Sequence, residues 1–210
     1  MNSHSDGNSV RIRSLAGVLT LVATLAIPAM AGPLEDGADA YRTQDYAKAA
    51  QLWQPPAEQG NAEAQYRLGT LYAEGKGVER NDATAFMWMQ RAATQGNASA
   101  QYDVGASYIE GAGVKKDESE AAKWFKRAAN QGMVYAQFNL GLLYASGSGV
   151  PQDNVEALKW LDLALFALPA GSARSDASRA IVDVAAKMDD AQKREAATRE
   201  RAWKAVAETK

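Results

Sequence analysis

Two glutamates recur in a position where paired carboxylates could do chemistry. Glu74 and Glu110 lie 36 residues apart, each directly before a glycine-rich loop. Carboxylate pairs can act as general acid and base, as they do in glycoside hydrolysis. Equivalent positions in stacked helices are separated by about 10 Å for each helix layer, which is too far for that reaction. The third equivalent position is Ser146, so we expect local hydrogen bonds or solvated charges here.

The amino-acid composition excludes most other catalytic sites. The chain has no cysteine, and its one histidine, His4, lies in a segment expected to be cleaved off. Histidine and cysteine supply most transition-metal ligands and most nucleophilic dyads, so serine triads, structural zinc and histidine-bound haem are ruled out. We predict a protein that is not an enzyme, with no catalytic residue, no cofactor and no metal site. An enzyme that uses carboxylates alone is the most distant alternative.

Residues 1–31 have the pattern of a secretory signal peptide. Arg11 and Arg13 form a basic region, Leu15–Ile27 is apolar, and residues 29–31 (Ala-Met-Ala) form a small-x-small cleavage site. Such a signal directs export to the periplasm or outside the cell and is then cleaved off. The alternative is an uncleaved anchor, since residues 14–31 carry no charge and are just long enough to span a bilayer. Membrane attachment is expected only in that case.

Charge and apolar content describe a globular chain without a nucleic-acid surface. Lysine and arginine number 23 against 25 aspartates and glutamates, which gives a formal net charge of -2. A mixed and slightly acidic surface does not favour nucleic acid. The apolar fraction of 47% is sufficient for a packed core, which a protein without disulfide bonds requires.

A 36-residue unit is repeated along most of the chain. Three full copies span residues 61–96, 97–132 and 133–168, and a degenerate copy spans residues 36–60. Three residue types recur at equal spacing, as Trp88, Trp124 and Trp160; Tyr72, Tyr108 and Tyr144; and Gly69, Gly105 and Gly141. A repeat of this period indicates stacked units, each of which needs its neighbours to bury its apolar face.

Each copy predicts two helices joined by a glycine loop. In the first, helix A, apolar residues at spacings of three and four mark one buried face. Gly-x-Gly-Val loops follow, beginning at Gly75, Gly111 and Gly147. The second, helix B, is expected to begin at a capping residue, namely Asn81, Asp117 and Asp153. Glu120 and Glu156 lie three residues after two of these caps and predict capping boxes. We interpret the repeated glycines and tryptophans as structural, because both pack helices together.

The two ends of the array depart from the repeat. In the N-terminal copy, Trp53 is matched to Trp88, and Pro55 and Pro56 are expected to stop or kink the second helix early. The third copy ends in the apolar stretch 161–168, which needs a cover. We expect that cover to be a C-terminal cap over residues 172–208, with one helix from Ala173 to Lys187 and another from Asp190 to Glu208. The second should carry Trp203 and Val206 on its apolar side.

These residues resemble the Sel-one-like repeat family, a branch of the tetratricopeptide-like α-solenoids. The resemblance rests on Ala-x-Ala-Gln-Tyr-x-Leu-Gly-x-x-Tyr at residues 62–72, on the Gly-x-Gly-Val loops, and on Ala-x-x-Trp-x-x-x-Ala-Ala-x-x-Gly at residues 85–96. It implies an all-α fold in which helix pairs stack into a right-handed superhelix. It also implies an adaptor that holds another protein, with the A helices lining the concave face.

The concave face is where we expect a partner to bind. Identical positions should build the stack, whereas exposed positions that differ between copies can suit a ligand. The candidate residues on the A helices are Tyr66, Thr70, Tyr102, Ala106, Tyr135, Phe138 and Leu142. Because a ring recurs at Tyr66, Tyr102 and Phe138, these three are also consistent with packing between A helices. Tyr135 and Leu142 break the repeat and are the strongest candidates.

The character of this face predicts the class of partner. An aromatic-lined groove suits an extended or helical peptide held by a few buried anchors, so the partner is predicted to be a protein or peptide. The alternative is a polysaccharide or peptidoglycan of the cell envelope, whose sugar rings could stack on the same aromatic side chains.

Overall fold

A computed structural model describes residues 32–206 and 208, and the predicted signal peptide lies outside this part of the chain. The described residues form ten α-helices and no strand: α1 Pro33–Arg42, α2 Tyr46–Glu58, α3 Ala62–Glu74, α4 Asp82–Thr94, α5 Ala98–Glu110, α6 Glu118–Asn130, α7 Val134–Ser146, α8 Asn154–Ala167, α9 Ser172–Ala185 and α10 Asp190–Ala202. None of these helices is long and apolar enough to cross a membrane.

The helices stack in chain order, which confirms the all-α repeat solenoid. The A helices are α1, α3, α5 and α7. Each packs against the B helix of its own repeat, and α3, α5 and α7 also pack against the B helix of the preceding repeat. The tryptophans of the three full repeats are buried, with Trp160 only 1% exposed. The A and B helices approach closely at a glycine, since a Cβ on Gly105 would lie 2.8 Å from the ring of Phe125. These residues build the scaffold, as predicted.

Side-chain caps begin the B helices, but the predicted capping boxes do not form. Backbone N–H groups of the first turn donate to the caps of α4, α6 and α8, which are Asn81, Asp117 and Asp153. The backbone N–H of Asp117 donates to the Tyr108 carbonyl of the preceding A helix at 3.0 Å, so this N–H does not donate to Glu120. Glu156 likewise accepts from the Trp160 indole N–H at 3.0 Å.

The glycine loops connect each repeat to the one before it. Gly147 ends α7 with φ of 76°, and Gly149 follows with φ of 69°. A Cβ on Gly149 would lie 2.2 Å from the backbone oxygen of Glu118, the first residue of the preceding B helix. Gly77 and Gly113 contact the first residues of α2 and α4 in the same way. The second glycine is therefore required by close contact between repeats as well as by backbone conformation.

The N-terminal repeat aligns differently from the prediction. Counted from its N-cap, Asp45, the position of Trp53 is that of Phe125 rather than that of Trp88 or Trp124. The packing agrees, because a Cβ on Gly37 would lie 2.3 Å from the Trp53 indole nitrogen, as one on Gly105 would meet Phe125. The match to Trp88 was therefore wrong, because Trp53 and Trp88 share a residue type but lie at different distances from the caps of their helices.

The two prolines of this repeat do not stop its second helix early. Helix α2 includes Pro55 and Pro56 and ends at Glu58. The prolines lie in its last turn, so their missing N–H groups remove only two helical hydrogen bonds. Gln59 then donates to the Pro55 carbonyl at 3.1 Å. The expectation that Pro55 and Pro56 stop the helix early was therefore wrong.

Three buried glutamines join successive repeats. They are 36 residues apart, each is at most 4% exposed, and they are Gln65, Gln101 and Gln137. The Nε2 atom of each donates to a carbonyl in the last turn of the preceding B helix, at 2.9, 3.1 and 3.3 Å for Ala57, Ala93 and Ala129. Carbonyls at the end of a helix lack a helical partner, so the glutamines satisfy groups that stacking buries.

The last two helices cover the third repeat, and the final helix is shorter than expected from the sequence. Val184 and Ala196 belong to the same core cluster as Leu161 of α8. Helix α10 ends at Ala202, short of the predicted end at Glu208, and the backbone of Trp203 is extended. An extended chain allows the Trp203 ring to approach the Trp160 ring at 6.1 Å. Val206 is left 66% exposed, so its expected place on an apolar helix face was wrong.

Candidate functional site

The A helices of the second and third repeats enclose a pocket of about 200 Å³ between them. Its lining residues are Tyr102, Ala106, Ile109, Glu110, Phe125, Asn139 and Leu142. We call it the apolar pocket, because apolar side chains form most of its wall. The ring of Tyr135 lies beside it, 6.3 Å from the ring of Tyr102. The structure thus brings together four of the predicted site residues.

Two of these four residues are exposed without a packing role that explains them. Tyr135 is 43% exposed and Leu142 is 36% exposed. Large apolar side chains at the mouth of a pocket are typical of sites where a partner buries an anchor. In contrast, Tyr102 packs on the core, with its ring 5.7 Å from that of Phe125.

Tyr66 and Thr70 line a different pocket, between α1 and α3. It also measures about 200 Å³, and its other lining residues are Tyr41, Trp53, Glu63 and Arg67. We call it the charged pocket. The Arg67 Nε atom is 2.6 Å from the Glu63 carboxylate, and its guanidinium lies 5.4 Å from the centre of the Trp53 ring. Tyr66 and Tyr102, two of the three predicted tyrosines, therefore belong to pockets of different chemistry.

A partly buried carboxylate lies between the two pockets. Asp103 of α5 interacts with the Tyr66 hydroxyl of α3, and burial raises the pKa of Asp103 to about 6. The hydrogen bond with Tyr66 opposes that shift only in part. Burial, followed by the charge of Asp103, also raises the pKa of Tyr66 to about 12. At neutral pH the Asp103 carboxylate is therefore mostly ionised, and its negative charge is not fully neutralised.

Phe138 differs from the other predicted residues, because it packs toward the C-terminal cap. It contacts two core clusters that contain residues of α8 and α9, including Leu161 and Ala177. The predicted set therefore divides into an apolar pocket, a charged pocket and one ring in contact with the cap. We define the A-helix groove as the surface formed by the two pockets, Asp103 and Tyr135.

Sequence reasoning missed the residue that follows each recurring ring. The three equivalent positions are Arg67, Asp103 and Asn139, a cation, an anion and a neutral amide. Arg67 and Asn139 line the two pockets, and Asp103 lies between them. The comparison of copies that singled out Tyr135 and Leu142 would have found this position too, because it changes in every repeat.

Two other polar features of the described residues serve the local fold. Glu74, considered above as a carboxylate for catalysis, pairs with Lys76 at 2.7 Å. A wider cavity of about 430 Å³ lies beside α1 and α2, where Asp39 pairs with Arg42 and Asp45 caps α2. Within the described part of the chain, no three side chains of the metal-binding types are grouped together.

Comparison with known proteins identifies the repeat. The family model described as Sel1 repeat matches residues 30–61, 62–97, 98–133 and 134–165. No curated protein sequence matches the chain. A solved Sel1 repeat protein from Oxalobacter formigenes is 33% identical, with a TM-score of 0.65, over 76% of this chain and 62% of that chain.

A second solved structure supports the same fold. It is c5321, a protective antigen present in uropathogenic Escherichia coli strains that displays an SLR fold, and it is 27% identical with a TM-score of 0.53. The match covers 80% of this chain and 44% of that chain, so the present chain spans less than two thirds of either structure. The four matched repeats and the stacked helix pairs show that the chain belongs to the Sel1 repeat family, whose members are generally scaffolds for protein interaction.

Proposed function

We propose that this protein is a non-enzymatic adaptor of the cell envelope that binds a protein or peptide partner in the A-helix groove. The observation that carries the proposal is the apolar pocket, with Tyr135 and Leu142 exposed at its mouth. Export to the periplasm or beyond is part of the proposal and rests on the sequence pattern of residues 1–31. Mature protein isolated from fractionated cells should then begin at Gly32.

The apolar pocket fits one anchor side chain of a peptide. Its volume of about 200 Å³ accommodates a leucine-sized or aromatic group, and Asn139 and Glu110 supply polar atoms at its wall. Burial of such an anchor removes apolar surface of both partners from water, at about 25 cal/mol for each Å². Binding of this kind concentrates most of the affinity in a few residues.

The charges along the groove add selectivity for a basic residue next to the anchor. Asp103 lies between the pockets without a cation of its own among the described residues, whereas Arg67 in the charged pocket is already paired with Glu63. A lysine or arginine of the partner would neutralise Asp103 and favour its ionised form. We therefore expect a partner segment with an apolar anchor and a nearby basic side chain.

Substitutions with matched controls test this function. The chain should capture a saturable protein ligand from envelope extract, and Leu142→Glu or Tyr135→Ala should weaken binding of the purified ligand at least tenfold. Val182→Glu and Phe166→Ala make the same kinds of change at side chains that are 66% and 77% exposed on α9 and α8. These controls should bind normally. Equal binding by Leu142→Glu and Val182→Glu would exclude the A-helix groove.

The tyrosine pair keeps a glycan as the second candidate function. The rings of Tyr102 and Tyr135 are tilted by 50° and partly accessible, a surface on which a sugar ring could stack. Capture of purified peptidoglycan or polysaccharide that is lost in Tyr135→Ala, with no protein ligand, would favour this alternative.

A further inference from the structure

Residues 203–206 and Glu208 lie along a second surface, separate from the A-helix groove. Each full repeat is preceded by a glycine with positive φ, where one B helix ends and the next A helix begins; these are Gly60, Gly96 and Gly132. We call the surface along these three glycines the inter-repeat edge. The extended residues after α10 follow it, and the Val206 N–H donates to the Asn130 carbonyl at 2.9 Å.

A carboxylate of this segment is bound at the junction between the first and second repeats. Glu208 accepts hydrogen bonds from Arg127 Nε at 3.0 Å, from Arg127 Nη2 at 2.7 Å and from Gln101 Nε2 at 2.8 Å. Gln101 is fully buried, and the missing side chain of Gly96 leaves room for the Glu208 Cβ. Bidentate binding by arginine is a strong form of carboxylate recognition. Accordingly, the hydrogen bonds from Arg127 hold the pKa of Glu208 below its usual range.

The same binding groups exist one repeat earlier, with Gly60, Gln65 and Arg91 in place of Gly96, Gln101 and Arg127. The Arg91 guanidinium lies 4.7 Å from the centre of the Trp88 ring, and the Arg127 guanidinium lies 4.6 Å from that of Trp124. The two arginines are therefore held against their helices in the same way.

The two glutamines are also held alike. Gln65 Nε2 donates to the Ala57 carbonyl of the preceding B helix at 2.9 Å, and Gln65 Oε1 accepts from Gln95 at 2.8 Å. Gln101 repeats both bonds, at 3.1 Å to Ala93 and at 2.7 Å from Gln131. An amide nitrogen has two hydrogens, and in Gln101 the second one binds Glu208. The second hydrogen of Gln65 has no acceptor among the described residues.

The earlier copy holds no carboxylate of the described residues. No carboxylate of the described residues lies within salt-bridge distance of Arg91, and no heavy atom lies within 4 Å of a Cβ built on Gly60. Arg91 is accordingly exposed, whereas Arg127 is partly covered by Glu208.

The third copy shows that the bound group follows the residue at the arginine position. That position is Leu163, and there the chain places the apolar ring of Trp203 in the cluster that contains Leu163 and Trp160. An arginine thus binds an acid and a leucine binds an aromatic ring along one surface.

We propose that Gly60, Gln65 and Arg91 form a second carboxylate-binding site, which takes a glutamate or aspartate from an extended segment of a partner protein. The partner chain would continue along the inter-repeat edge in the manner of the chain's own last residues. This site shares no residue with the A-helix groove, so it is independent of the function proposed above.

A peptide with the sequence of the bound segment tests the site. The probe is Ala-Val-Ala-Glu-Thr, the sequence of residues 205–209, and its matched control carries glutamine in place of glutamate. Titration into the ¹⁵N-labelled protein should shift the side-chain amide of Gln65 and the backbone amide of Gly60, with a Kd on the order of millimolar. The glutamine peptide and the Arg91→Gln variant should each bind at least tenfold more weakly. Arg194→Gln, the same change at an exposed arginine of α10, should bind normally.

Three results would overturn the proposal. Equal binding of the glutamate and glutamine peptides would show that no carboxylate is recognised. Shifts at Tyr102 and Leu142, with none at Gln65, would place the peptide in the A-helix groove. Concentration-dependent dimerisation that Arg91→Gln abolishes would identify the occupant as a second copy of this chain, which sedimentation measures directly. Arg91 is exposed, so loss of folding does not confound the variant, and its melting temperature serves as the check.

Discussion

Replacement of Gly149 by alanine tests how the repeats are joined. A Cβ there would lie 2.2 Å from the Glu118 oxygen and 2.6 Å from the Ser119 nitrogen, both of them backbone atoms in the first turn of α6. Neither atom can move without disturbing that turn, so the second and third repeats must separate. Gly147 is the matched control, because its φ of 76° is close to the 69° of Gly149. Its nearest contact would be the Gln152 Cβ, at 3.3 Å.

The two substitutions share one cost and differ in the other. Alanine in a left-handed conformation costs about 1–2 kcal/mol at either position. Overpacking adds about 1–3 kcal/mol at Gly149 alone. We therefore expect Gly147→Ala to lower the free energy of unfolding by about 1–2 kcal/mol and Gly149→Ala to lower it by about 2–5 kcal/mol.

Urea denaturation measures this difference. Both circular dichroism and tryptophan fluorescence should be followed, because stacked repeats can unfold in parts. Equal losses for the two variants would refute the contact between the loop and α6. A larger loss for Gly147→Ala would show that backbone conformation, not contact between repeats, requires the glycines.

Two further substitutions test the buried polar groups. Asp103→Asn should stabilise the protein by about 2–3 kcal/mol at pH 7. A pKa raised from 3.8 to about 6 on folding means that ionisation of Asp103 increasingly opposes folding as pH rises between these values, and by a constant amount above them. The gain should shrink as pH falls toward the unfolded value of 3.8, and urea denaturation from pH 4 to pH 8 checks it; a gain independent of pH would contradict the raised pKa. Gln101→Met should cost about 2–4 kcal/mol, because the Ala93 carbonyl, the Gln131 amide and the Glu208 carboxylate each lose a hydrogen-bond partner. Gln51→Met, the same change at an exposed glutamine, should alter the free energy of unfolding by less than about 0.5 kcal/mol. Similar free energies of unfolding for the two variants would exclude a role of Gln101 in joining the repeats.

Much of the scaffold is predictable because its causes are local. Aspartate and asparagine caps bind N–H groups two or three residues away, and glycines such as Gly147 adopt a left-handed conformation at the end of their own helix. Equal spacing of the tryptophans placed them in the core. The errors had two causes. Glu156 accepts a hydrogen bond from Trp160 instead of completing a capping box. The prolines of α2 lie in its last turn, where they do not end the helix early.

The candidate site is predictable only in part. Variation between copies selected Tyr135 and Leu142, and the structure places both beside the apolar pocket. The same test applied to the position after each ring would have found Asp103 and Asn139. Their roles could not be predicted, however, since the pKa of Asp103 is raised by burial in the folded protein, and its hydrogen-bond partner, Tyr66, belongs to the preceding repeat.

The sequence by itself determined the helices, their caps, the period of the stack and the residues that are the same in every repeat. Each of these depends on side chains within about one helical turn or on a count along the chain. Only the tertiary structure decided that Trp53 packs on Gly37, and that Glu208 returns across two repeats to bind Gln101 and Arg127. Those contacts join residues that are far apart in the sequence. They form only when the helices have packed together, so no local pattern of residues predicts them.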